Sequence, residues 1–219
     1  MFRFLSVLFL GVVASASFAG DNTVTSASSA VAAVTSVAVV GKAAPTFTLA
    51  DASGKKHSLA DYKGKYIVLE WTNFGCPFVR KHYDSKSMQT TQEQWTKQGV
   101  IWLSICSSAP GKQGHFEGSM LADQIKTEGI RSTAYLVDAD GSVGLQYGAK
   151  TTPHMFVIAP DGNLIYAGAI DDKASADKAD IAGSTNYVTE ALKASMAGKE
   201  VSVKATQSYG CSVKYATKK

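Results

Sequence analysis

The chain has 219 residues, three cysteines and a formal net charge of +4, from 22 lysines and arginines against 18 acidic residues. The charge is mild and the lysines are scattered, which argues against a nucleic-acid surface, and three cysteines are too few for a disulfide-built scaffold. The length allows one domain with a sizeable core.

The N-terminus reads Met-Phe-Arg, then runs apolar from Phe4 to Val13, and Ser17-Phe18-Ala19 fits a small-x-small cleavage site. This predicts a signal peptide over residues 1–19, cut after Ala19. The apolar run is short for a bilayer span, so no stable membrane insertion is expected once it is removed. The protein is expected in the periplasm or secreted, where disulfides can form. Residues 20–44, mostly Ala, Val, Ser and Thr, read as a poorly ordered leader that leans on the domain.

A domain is expected over residues 45–198, followed by a tail over 199–219 that carries Cys211. Pro45 to Leu49 alternates as a strand does, Asp51 to Gly54 turns, and His57-Ser58-Leu59 returns as its partner. After a second turn, Tyr66 to Thr72 is an almost continuous apolar strand. Pro77 to Lys97 reads as a helix with one buried side, kinked near Asp84-Ser85-Lys86-Ser87 and ended by Gly99. Val100 to Cys106 is a buried strand, residues 107–118 a long loop, Ser119 to Glu128 a short helix and Ala134 to Val137 a strand. His154 to Ile158 and Leu164 to Gly168 flank Pro160-Asp161-Gly162-Asn163 as a hairpin, and Tyr187 to Ala197 is the last helix. Strands alternating with helices, then an antiparallel hairpin, imply an α/β fold with a central mixed sheet covered by helices.

Cys76 stands where the apolar strand gives way to a helix. The free N–H groups and dipole of a helix N-terminus favour a thiolate, so Cys76 is the candidate nucleophile. Arg80, four residues on, can lie on the same side and stabilise the thiolate or a substrate anion, or be a solvated arginine. His82 reads as a surface histidine. Glu70 is the one charge in an apolar strand. Beneath the sheet it would be desolvated with a raised pKa and able to move protons to and from the thiol; on an edge strand it would face solvent. Thr152-Pro153 opens a strand, and a proline there is compatible with a cis or a trans peptide bond. A cis bond would offer the Thr152 backbone to an extended substrate. Cys211 on a flexible tail can reach Cys76 and resolve its oxidised form, or staple the tail. Cys106, at the end of the neighbouring strand, is the other possible partner. No His or Cys pair has tight metal-ligand spacing, and the Asp171-Asp172, Asp177 and Asp180 group matches no calcium loop, so neither a metal nor another cofactor is expected.

The stretch from Gly41-Lys42-Ala43-Ala44-Pro45 through Leu59-Ala60-Asp61-Tyr62-Lys63-Gly64-Lys65-Tyr66-Ile67-Val68-Leu69 resembles the redoxin branch of the thioredoxin superfamily, which includes the alkyl hydroperoxide reductase C/thiol-specific antioxidant proteins. The resemblance covers about residues 41–197. It implies a thioredoxin-like fold with an N-terminal β-hairpin, Cys76 at the start of the main helix beside Pro77, Pro153 as a cis-proline facing it, and Glu70 at the position of a buried acid. The second cysteine of a CxxC pair is replaced by Val79, which excludes that cycle in its usual form. Peroxiredoxins carry Pro and Thr where this chain has Leu69 and Asn73, and copper-delivering relatives carry a cysteine where it has Arg80.

These readings converge on an exported thiol oxidoreductase acting on a thiol or disulfide partner protein. Cys76, Cys211, Glu70 and Arg80 would carry the chemistry, and Thr152, Pro153 and Pro77 would contact the substrate. Reduction of a small-molecule peroxide is the alternative within the same class. A non-catalytic binding module with a structural disulfide or a metal site is the alternative outside it.

Overall fold

Side chains that alternate between two covered faces build the centre of the fold. In β3 (Ile67–Trp71), Ile67, Leu69 and Trp71 project to one face of the sheet and Val68 and Glu70 to the other, and all five are buried. The computed structural model describes residues 37–217; the expected signal peptide and the leader up to residue 36 lie outside the described residues. Residues 38–44 lean on the domain, with Ala38 N–H donating to the Gln146 carbonyl and Gly41 N–H to the Leu164 carbonyl.

The other elements are β1 (Thr48–Asp51), β2 (Lys56–Ser58), α1 (Pro77–Asp84), α2 (Ser87–Thr96), β4 (Ile101–Cys106), α3 (Gly118–Glu128), β5 (Ala134–Val137), α4 (Ser142–Tyr147), β6 (Thr151–Thr152), β7 (His154–Ile158), β8 (Leu164–Gly168), α5 (Tyr187–Met196) and β9 (Cys211–Ser212). Seven strands form one sheet in the order β2-β1-β5-β4-β3-β7-β8. The pairs β3–β4 and β4–β5 are parallel, and β3–β7, β7–β8, β1–β5 and β1–β2 are antiparallel, so the sheet is mixed, as expected. β3 is central, with Glu70 opposite Ser104 on one side and Met155 on the other.

One face of the sheet packs Val68, Trp102, Met155 and Val157 against Val79, Tyr83, Met88, Trp95 and Leu192 of the helices. The other packs Leu69, Trp71, Leu103, Ile105 and Phe156 against Val143, Tyr147 and Phe47. Full burial of each such aliphatic or aromatic side chain contributes roughly 1.5–3 kcal/mol.

The single kinked helix expected over 77–97 is two helices. α1 stops at Asp84, Lys86 adopts a left-handed conformation (φ 64°), and α2 restarts at Ser87. α4 was not foreseen from its six residues. The buried Asp138 carboxylate accepts from the Val143 and Gly144 amides and holds that turn in place.

The tail is not a flexible arm. Lys204 and Thr206 pair with Ala167 of β8. Farther on, Val213 N–H donates to the Lys150 carbonyl, and Tyr215 Oη to the Ala149 carbonyl. Between these anchors β9 runs antiparallel to β6, with Cys211 opposite Thr152. The tail is a strap across the end of the sheet, and this explains the burial of α1. Lys81 and His82 are 1% and 2% exposed, against the expectation of a surface histidine, because the strap and the segment around Asp171 cover the side of α1 that the sheet leaves open.

Candidate active site

Cys76 is the residue that caps α1, with Pro77 at the first helical position. It follows the C-terminal end of β3, where open α/β sheets place their sites. The approach to it is set by Asn73. The Asn73 carboxamide oxygen accepts from the Gly75 amide (2.9 Å), its nitrogen donates to the Gln113 carbonyl (3.1 Å), and Gln113 Nε2 returns to the Gly75 carbonyl (3.0 Å). The Asn-x-Gly turn carries a local sequence signal, whereas Gln113, from the loop after β4, carries none.

The Cys76 side chain is fully buried, although Gly75 and Pro77 on either side of it are exposed. What covers it is the strap. Its thiol donates to the Thr152 carbonyl (3.1 Å), and its sulfur accepts from the Cys211 amide (3.4 Å). The Thr152–Pro153 bond is cis. The Thr152 hydroxyl is buried without a partner of ordinary hydrogen-bond geometry. All three cysteines are free thiols. The backbone position expected to receive an extended substrate is therefore filled by the chain's own Cys211–Ser212 segment.

The two thiols are unequal. Burial pushes the Cys76 thiol up. The Cys211 thiol, the Thr152 side chain and the amides of Val79 and Cys211 together outweigh it and hold Cys76 below its ordinary value. Cys211 is pushed up to about 11, by burial first and then by sharing its proton with Cys76, while Lys214 opposes the shift. Of the pair, Cys76 is thus the thiol that gives up its proton more readily and Cys211 the one that keeps it. Cys106 does not join them; its thiol donates to the Gly114 carbonyl (3.3 Å).

Glu70 is fully buried on the helix-covered face. It accepts from Tyr83 Oη (2.9 Å), Gln92 Nε2 (2.9 Å), Trp102 Nε1 (2.8 Å) and Ser104 Oγ (3.1 Å). Burial raises its pKa and these four donors oppose the rise. Each of those partners is a core side chain, and none is a thiol. Arg80 likewise points elsewhere, pairing with Glu128 (2.6 Å) and with Asp84.

The strap is held beside Cys211 by a cluster that sequence reading did not foresee. The Tyr209 hydroxyl donates to Asp171 Oδ1 and lies 3.4 Å from His82 Nε2. Lys81 Nζ lies 3.4 Å from Asp171 Oδ2, 2.8 Å from the Lys173 carbonyl and 5.6 Å from the centre of the Tyr209 ring. The Tyr209 ring also packs on Phe78, 5.9 Å between centroids. Among the described residues no group of three His, Cys, Asp or Glu side chains is placed to hold a metal ion. No helix among them is long and apolar enough to cross a membrane.

Two buried histidines give a stability prediction. His82 and His154 are each pushed down to about 4, in both cases mainly by burial. His154 Nδ1 also accepts from the Lys150 amide, which requires a neutral ring. Below an unfolded-state value of about 6.5 the unfolded chain binds protons that the folded chain refuses. Unfolding free energy from these groups is therefore fully present above about pH 6.5 and is lost as pH falls toward 4, with a limiting slope of about 1.4 kcal/mol per pH unit for each histidine. Urea unfolding across this window should show the loss, and His154→Gln should remove about half of the slope assigned to the pair. An unchanged slope in the variant would refute the assignment.

A family model described as the AhpC/TSA family matches residues 40–167. The thiol-disulfide oxidoreductase ResA of Bacillus thuringiensis subsp. konkukian is 25% identical over 126 residues, 58% of this chain and 67% of the relative. ResA of Bacillus subtilis is 26% identical over 125 residues, 57% of this chain and 64% of the relative, so the chain spans about two thirds of the curated relatives it matches. Among solved structures, an uncharacterized conserved protein from Geobacillus kaustophilus superposes with a TM-score of 0.70 at 23% identity, over 83% of this chain and 94% of that one. A hypothetical protein from Sinorhizobium meliloti 1021 superposes with a TM-score of 0.67 at 25% identity, over 82% and 96%. The fold is thioredoxin-like and of the redoxin branch.

Proposed function

The chain belongs to the AhpC/TSA family, and we propose that within it the chain is an exported thiol–disulfide oxidoreductase. Cys76 is the nucleophile and Cys211, on the strap, replaces the missing second cysteine of a CxxC pair. The observation that carries this reading is the seating of Cys211 against Cys76, with its amide 3.4 Å from the Cys76 sulfur and its residue paired with Thr152. Export rests on the N-terminal apolar run and the Ser17-Phe18-Ala19 site.

The Cys76 thiolate attacks one sulfur of a substrate disulfide. A Cys76–substrate disulfide forms, the substrate S–S bond breaks, and the departing thiolate takes a proton. Cys211 loses its proton and attacks the Cys76 sulfur, forming the Cys76–Cys211 disulfide and releasing the second substrate sulfur as a thiol. The substrate gains two electrons and the pair loses two; a dithiol reductant restores the pair by the reverse exchange. During the first attack the substrate takes the backbone of Thr152 and Pro153, next to the exposed Pro77, and the strap gives way. Glu70 ties α1, α2 and β4 together through its four hydrogen bonds and so holds the helix that carries Cys76. The Arg80 guanidinium serves α1 and α3 through Asp84 and Glu128.

Disulfide mapping of the full chain by non-reducing peptide mass spectrometry, across a series of redox buffers, tests the reading. A Cys76–Cys211 link that opens at a potential above about −300 mV is expected, since structural disulfides lie below that value. A link that resists reduction at that potential would favour the non-catalytic module. A Cys76–Cys106 link would overturn the role of Cys211.

A further inference from the structure

Cys76 cannot meet a substrate while the strap covers it. The strap is anchored on one side by Thr206, whose Oγ1 accepts from the Ala169 amide (2.8 Å), and on the other by Val213. From the intervening segment that masks the thiol, the partly buried Tyr209, two residues before Cys211, reaches the Asp171 carboxylate. Tyr209 reaches a buried polar cluster in which Lys81, His82 and Asp171 are 1–2% exposed. Lys81 and His82 lie about one and a half turns along the helix that Cys76 caps. The cluster is thus built from the active-site helix, the segment after β8 that carries Asp171, and the strap.

We propose that Tyr209, seated on Asp171 between Lys81 and His82, is the clasp that sets how often the strap opens over Cys76. Tyr209, Asp171, Lys81 and His82 are accordingly positioning residues for thiol exchange. Docked, the clasp keeps Cys211 against Cys76 as the resolving thiol. Released, it uncovers the Cys76 sulfur and the Thr152 backbone to an incoming peptide disulfide. The inference rests on the reading of Cys76 and Cys211 as the working pair, but the opening itself is measurable without any turnover.

The Tyr209→Phe chain tests it. The ring stays on Phe78 and Lys81, and only the hydroxyl's contacts with Asp171 and His82 are removed. The reduced full-length protein is treated with iodoacetamide, and labelling of each cysteine is followed separately by peptide mass spectrometry. When reclosing is fast, labelling of a buried thiol follows the fraction of time it is open. Loss of a hydrogen bond to a charged group should raise the Cys76 rate by about tenfold to a hundredfold. Cys106, buried among Gly114, Leu121 and Tyr135, reports global unfolding and should be labelled far more slowly than Cys76 in the wild type, because Cys76 needs only the strap to open. An unchanged Cys76 rate in Tyr209→Phe, or a wild-type Cys76 rate no faster than that of Cys106, would overturn the clasp. If the wild type forms no Cys76–Cys211 disulfide in redox buffers, the proposed function fails while the labelling ratio still decides the clasp.

Discussion

A Cys76→Ser chain is expected to exchange no disulfide above the uncatalysed background, whereas Cys211→Ser is expected to begin the reaction and stall. Exchange requires a thiolate, and a serine hydroxyl neither ionises near neutral pH nor forms an S–S bond. The substitution is nearly isosteric. The serine hydroxyl can donate to the Thr152 carbonyl as the thiol does, so the fold should persist and the loss should be chemical rather than structural. Removing the Cys211 sulfur leaves the first attack intact and deletes the group that would expel the substrate. A mixed disulfide with Cys76 should then accumulate to about one equivalent. The measurement is turnover of a fluorogenic disulfide with a dithiol reductant, alongside intact mass after acid quenching. Full activity in Cys76→Ser would sink the nucleophile assignment. Normal turnover with no trapped adduct in Cys211→Ser would transfer the resolving role to another thiol.

Gly210→Ala should weaken the Cys76–Cys211 disulfide by about tenfold to a hundredfold, from a strain of about 1–3 kcal/mol, without touching either sulfur. Gly210 has φ 130°, a region that side-chain-bearing residues rarely adopt, and a Cβ there would overlap the carbonyl group of Thr152. Those are backbone atoms of β6 and have no rotamer by which to move aside. The reduced chain can relieve the strain by lifting the strap. The oxidised chain cannot, because the disulfide ties residue 211 to Cys76, so the equilibrium shifts toward the reduced form. Titration in glutathione buffers, read by quenched alkylation, should show the change. A wild-type equilibrium constant in Gly210→Ala would mean that the strap does not need its observed path to form the bond. Its contrast with Tyr209→Phe is informative: the glycine acts on the geometry of the closed strap and the tyrosine on how often it opens.

The parts of the site that could be read early are those with local causes. A cysteine between an apolar strand and a Pro-initiated helix is visible in a few residues, and so is the turn signal of the Pro160–Asn163 hairpin. The boundary between α1 and α2 was half visible, since the polar Asp84–Ser87 stretch suggested a kink, while the left-handed Lys86 that makes it a break belongs to the packing. Arg80 shows where spacing misleads. Four residues from Cys76 it is on a suitable side, but a long guanidinium goes to the nearest carboxylates, and Glu128 on another helix is one of them. His82 and Lys81 show the same limit for burial, because the groups that cover them include Tyr209, 127 residues after His82.

By itself the sequence determined a mixed α/β sheet, a central strand carrying Glu70, and a cysteine at the N-terminus of the main helix, because alternation, turn residues and helix-start signals act over neighbouring positions. It left open which thiol lies beside Cys76, and it described the tail as a loose arm. The tertiary structure decided both. Two-residue strands such as β6 and β9 have no periodicity to detect, and they exist only because Thr206, Tyr209, Val213 and Tyr215 anchor the strap to distant parts of the sheet and helices. A contact made by a strap is a sum of long-range anchors, and no window along the chain contains it.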